Sequence, residues 1–171
     1  MEIIKSYVQQ VPATRFIGKK YGDADRVGGG FGKQWDEWNG NGLFAPIDSA
    51  AGAVSALFED ADATIGLMRW KKDEPFEYRI GKFTPCDTAV PEGYGFVDFP
   101  AAKLGVCWLY GELDTLFFKE HLAEKRLREQ GYRYIGDEKG AFWFFERYAL
   151  PRSTVPDEKG NVVLDIVFFV E

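Results

Sequence analysis

Residues 140–150 read GAFWFFERYAL, an apolar and aromatic run broken by one adjacent acid–base pair, Glu146 and Arg147. Successive side chains of a strand point to opposite faces, so Phe142, Phe144, Glu146 and Tyr148 share one face and Trp143, Phe145 and Arg147 the other. A polar loop, Pro151–Asn161, separates this strand from another, Val162–Val170 (VVLDIVFFV), rich in β-branched and aromatic residues. Toward the N-terminus, Asp114 or Thr115 can cap a helix running to Gln130, and Gly131 supplies its stop. Before that helix, Gly95–Tyr110 (GFVDFPAAKLGVCWLY) is a long strand region in which Pro100 marks an edge, a bulge or a break.

The same order occurs earlier in the chain. Val8–Tyr21 reads as a strand around Pro12, and Lys33–Phe44 as a short helix with Trp35 and Trp38 on one face. Ala63–Trp70 and Phe76–Thr84 follow as two strands joined by the polar turn Lys71–Pro75. The stretch Ser49–Ala56 carries no clear assignment. Each half, roughly 1–86 and 87–171, reads strand, helix, strand, strand. The expected fold is therefore α+β: tandem βαββ repeats with pseudo-twofold symmetry, forming one antiparallel sheet with helices packed on one face, in a single domain.

Composition narrows the function. Twenty-one Lys and Arg against 27 Asp and Glu give a net charge of −6, which disfavours a nucleic-acid surface. The excess of acid lies in residues 87–171, with 10 basic and 15 acidic groups, and weakly favours cationic partners. No apolar run approaches the ~20 residues of a membrane helix, and no leader opens the chain, so the cytoplasm is the expected compartment. Cys86 and Cys107 have no zinc spacing and read as reduced and structural. With His121 the sole histidine, a His-based metal site or a Ser–His–Asp triad is disfavoured, and no cofactor is expected. Gly28–Lys33 resembles a phosphate loop but lacks a glycine at Val27 and a hydroxyl at Gln34, so it reads as a flexible entry to the first helix. The acidic pairs Asp60/Asp62, Asp73/Glu74 and Asp137/Glu138 read as solvated loop charge.

The chain carries 5 Trp, 8 Tyr and 15 Phe, more ring surface than a small core plainly requires. If the face bearing Glu146 is internal, that carboxylate needs an internal cation such as Arg147 or Lys103, a raised pKa, or a cationic ligand. An edge position exposed to water is the other alternative. In Leu104–Tyr110, alternation places Trp108 and Tyr110 with Leu104 and Val106. Trp35, Phe117 or Phe118, and Phe168 are candidates to converge with them between helices and sheet. A carboxylate ringed by such side chains suits a flat lipophilic cation, through stacking, cation–π attraction and counter-charge.

The segments TIGLMRWKKDEPFEYRIGKFTP (64–85), FPAAKLGVCWLYGELDTL (99–116) and FFERYALPRSTVPDEKGNVVLDIVFFV (144–170) resemble the GyrI-like effector-binding domain, also found fused to AraC-type and MerR-type transcription regulators. The FERY segment, Phe145–Tyr148, is the most specific element. The resemblance implies a pocket between two helices over the sheet, with Glu146 meeting cationic aromatic drugs, Tyr148 beside it, Trp108 or Tyr110 nearby, and Trp35 contributed by the first helix. It implies a stand-alone binder of hydrophobic cationic or aromatic compounds, without direct DNA binding, acting by sequestration or as a sensor. Two alternatives accompany it. One is a cofactor-free hydrolase of strained-ring natural products, with Glu146 activating water and Tyr148 or Tyr110 as hydrogen-bonding acid. The other is an interaction module for a protein partner, inhibiting a topoisomerase or regulating a transcription factor.

Overall fold

The computed structural model describes residues 1–171. Pro12 has no N–H to give to a ladder, and the first expected strand is divided there into β1 (Glu2–Val11) and β2 (Thr14–Tyr21). The helix expected over Lys33–Phe44 becomes α1 (Gly32–Gly40), followed by α2 (Ala45–Ala51), which enters with Pro46 in its first turn. Strands β3 (Thr64–Trp70) and β4 (Glu77–Pro85) complete the half. Pro100 then separates β5 (Gly95–Phe99) from β6 (Ala102–Gly111). The second long helix is shorter than its sequence suggested. A 3-10 turn covers Leu113–Thr115, Phe118 takes a left-handed φ of 59°, and α3 begins only at Glu120, ending at Glu129. Strands β7 (Phe142–Tyr148) and β8 (Val162–Val170) close the chain.

All eight strands form one antiparallel sheet in the order β1-β6-β8-β7-β3-β4-β2-β5. Each βαββ repeat thus carries an extra leading strand that crosses to the other repeat: β1 pairs with β6, and β5 with β2. Exchanging the two halves reverses the order onto itself, which places the pseudo-twofold axis between β3 and β7. Gly66 and Glu146 are paired directly across that axis, with Ile80 and Ile166 as their equivalent outer neighbours.

The sheet is strongly curled. Phe99 of β5 stacks on Phe169 of β8 with centroids 5.0 Å apart, yet the strands are five steps apart in the order. At ~4.8 Å per step a flat sheet would separate them by about 24 Å. The enclosed face holds Leu67, Val106, Phe145 and Val167. The opposite face carries the helices: Trp38 and Ile47 pack over Ile17 and Ile80, while Leu116, Ala123 and Leu127 pack over Leu109, Leu164 and Ile166. Trp38 is fully buried and donates its indole N–H to Tyr21 Oη at 2.9 Å, fixing α1 to β2. No helix is long and apolar enough to cross a membrane.

Candidate functional site

Directly opposed residues in antiparallel strands share a face. One row, Ser6–Cys107–Ile166–Glu146–Gly66–Ile80, crosses the sheet on the helix side. The adjacent row, Trp108–Asp165–Arg147–Ile65, faces the curled interior. Glu146 therefore lies at mid-sheet, beneath the space between α1 and α3, and is 6% exposed.

Both hydrogen bonds to its carboxyl fall on Oε2: Tyr78 Oη donates at 2.8 Å and Tyr148 Oη at 3.2 Å. Trp35 Nε1 donates to Tyr78 Oη at 2.9 Å. Phe31, at the end of the glycine-rich loop, stacks on the Tyr78 ring with centroids 4.2 Å apart and planes 7° from parallel. Trp35 leans on the Tyr148 ring at 4.7 Å. The group fits because residue 66 has no side chain: a Cβ there would stand 2.3 Å from Tyr78 Oη and 2.9 Å from Glu146 Oε2. A glycine within an apolar strand is a sign of such close approach.

Glu146 has no basic partner. Burial pushes its carboxyl from an ordinary 4.5 up to about 7, against the downward pull of the Tyr78 hydrogen bond, with the like charge of Glu120 adding to the rise. Burial, then the neighbouring carboxylate, holds the Tyr78 and Tyr148 hydroxyls well above the ordinary phenol range, so both stay protonated donors. Above Glu146 opens a cavity of about 1840 Å³. Phe144 and Tyr134 flank Phe168 in its wall, stacked at 5.4 and 4.4 Å. The lysine and arginine residues bordering it, Arg26, Lys82, Arg128 and Arg133, are each already paired, with Asp23, Asp48, Glu124 and Glu171. Glu146 and Glu120 are not, so the cavity is left electrically acidic. No group of three His, Cys, Asp or Glu side chains stands close enough to hold a metal ion.

The structure brings Glu146, Tyr148 and Trp35 into direct contact and places Phe168 in the cavity wall. Phe118 stands at the mouth, 63% exposed. Trp108 and Tyr110 are elsewhere. They do lie on one strand face, as alternation requires, but that face is turned away from the helices. Trp108 sits in the row of Arg147, with Arg152 and Lys5 over its ring at 4.5 and 4.3 Å. Tyr110 donates to Asp157 at 2.7 Å at the far end of β6. Neither Arg147 nor Lys103 neutralises Glu146: the first faces the other side of the sheet, and the second is exposed near the start of β6. Asp60, expected in solvent, is held by Arg152 at 2.6 Å and Arg147 at 3.5 Å. Tyr78, Phe31 and Gly66 were missed as site residues, although Gly66 interrupts ATIGLMRW conspicuously enough to have pointed to a close contact.

No protein-family model and no curated protein sequence matches this chain. Solved structures do. SAV2435 bound to tetraphenylphosphonium is 16% identical, with 98% of this chain and 94% of that chain covered at a TM-score of 0.68. The EcmrR C-terminal domain is 12% identical, with 98% and 97% covered at 0.58. A hydrolase from Listeria innocua is 11% identical, with 100% and 94% covered at 0.51. At such identities the likeness is one of fold. The curled pseudo-twofold sheet, the helices on one face and these neighbours together give the chain the GyrI-like fold.

Proposed function

We propose that this protein binds lipophilic aromatic cations in the cavity between α1 and α3, with Glu146 as the counter-charge. The observation that carries this reading is a buried carboxyl with no basic partner, beneath an aromatic cavity whose lysine and arginine residues are already paired. A ligand cation supplies the missing compensation, and Trp35, Tyr148 and Phe168 supply ring faces for it. The fold shared with SAV2435, solved with tetraphenylphosphonium bound, supports the same ligand class. Sequestration or ligand sensing is the corresponding role.

Titration with tetraphenylphosphonium tests it. Wild type binds stoichiometrically, and Glu146→Gln binds at least tenfold more weakly, ~1.4 kcal/mol. Equal affinity of the two proteins, or no binding by wild type, would sink the reading.

A second reading rests on the same group. A carboxyl pushed up to about 7 is suited to general-base catalysis near neutral pH, with Tyr78 and Tyr148 as neighbouring donors. Turnover of a bound strained-ring compound that is lost in Glu146→Gln separates hydrolysis from retention.

A further inference from the structure

The hydrogen-bond directions around Glu146 are fixed by chemistry. An indole N–H can only donate, so Tyr78 Oη accepts from Trp35 and gives its own proton to Glu146 Oε2. Tyr148 Oη is aimed at that same oxygen. Oε2 is thus an acceptor twice over, while Oε1 receives no hydrogen bond from the protein and is not sealed from the cavity. A proton added to the carboxyl belongs on Oε1. On Oε2 it would oppose the O–H that Tyr78, held by Trp35, directs there.

The neutral acid then presents an O–H donor to the cavity where the carboxylate presents a negative charge. We propose that the cavity takes a second class of ligand: neutral aromatic compounds bearing one strong hydrogen-bond acceptor, such as a phosphoryl or amide oxygen, held by a proton on Glu146 Oε1. This rests on the reading of the cavity as a ligand site and adds a class that no counter-charge argument supplies.

Burial, with the like charge of Glu120 from α3, favours the neutral acid and outweighs the hydrogen bonds from Tyr78 of β4 and Tyr148 of β7, uncharged donors that favour the carboxylate. Trp35 from α1 donates to Tyr78, no lysine or arginine pairs with the carboxyl, and His121, beside Glu120 on α3, also borders the cavity. With the carboxyl titrating at about 7, the two ligand classes exchange preference near neutrality.

Triphenylphosphine oxide and tetraphenylphosphonium have similar aromatic bulk, and calorimetric titration of each at about pH 5.5 and about pH 8.5 reads the two modes separately. In wild type the oxide binds at least tenfold more tightly at the acid pH, and the phosphonium at least tenfold more tightly at the alkaline one. Glu146→Gln adds an independent check. Its carbonyl must take the phenol donors and its amide N–H must face the cavity, so it binds the oxide equally at both pH values. Oxide binding that ignores pH in wild type, or that Glu146→Gln abolishes, overturns the proposal. If the phosphonium binds and the oxide does not, the proposal falls and the cation-binding function stands. If the oxide behaves as expected and the phosphonium does not bind, the proposal stands and the cation-binding function falls. Should the variant fail to fold, the wild-type pH profile alone decides.

Discussion

Glu146 and Arg147 are neighbours in one strand, both buried, opposite in charge, and treated in opposite ways. Arg147, 1% exposed, donates to Asp165 at 2.8 Å, to Gln9 at 2.8 Å and to Tyr7 at 3.0 Å, and lies 3.5 Å from Asp60. Arg152 closes the network by bridging Asp60 and Asp165, both at 2.6 Å. Burial raises Asp60 and lowers Arg152, but their mutual hydrogen bonds prevail, so both stay firmly charged. On the other face Glu146 has phenols and no cation. Complete compensation marks Arg147 as part of what ties the loops at 60 and 152 to the sheet. The uncompensated charge is where a ligand has something to add.

The comparison breaks most visibly at Arg147. Replacing it by alanine strands the fully buried Asp165 with Arg152 as its remaining partner and costs about 3–5 kcal/mol in denaturant unfolding. On the Glu146 side the expected effect depends on pH. Its folded-state value, about 7, lies above the ordinary 4.5, so its contribution is full below about pH 4.5 and is lost as pH rises through 7, by roughly 3 kcal/mol. Glu146→Gln lacks that loss, and the stability difference between variant and wild type grows with pH across this window. A difference that is flat in pH would mean the carboxyl is not held neutral. Gly66→Ala sharpens the geometry. Its Cβ displaces Tyr78 and weakens tetraphenylphosphonium binding, with a stability cost of about 1–3 kcal/mol by thermal or chemical unfolding. Tyr110→Phe, on the face away from the helices, removes one exposed hydrogen bond and changes ligand affinity by less than about 0.5 kcal/mol.

Alternation alone separated Glu146 from Arg147, because a strand's period of two is a local property. It also grouped Leu104, Val106, Trp108 and Tyr110 correctly. It could not show which side of the sheet that group faced. The choice follows from the pairing of Cys107 and Glu146 with the two sides of Ile166, a fact about strands distant in sequence. Tyr78 was hidden for the same reason, since only the β3–β4 register brings its hydroxyl beside Gly66. The late start of α3 reflects the left-handed residue at Phe118, which carries no glycine or asparagine signal. The crossing of β1 and β5 between repeats is likewise invisible in a strand-by-strand reading, although both prolines that end those strands are plain in the sequence.

The duplicated sheet brings equivalent positions of its two halves face to face at Gly66 and Glu146. A second carboxylate at position 66 would need the volume that Tyr78 and the first already occupy. An architecture with internal twofold symmetry thus permits only one such charge at its axis. Under the proposed function, the expected stoichiometry is accordingly one charge-compensated ligand per chain, with even a symmetric guest held in an inherently lopsided cavity.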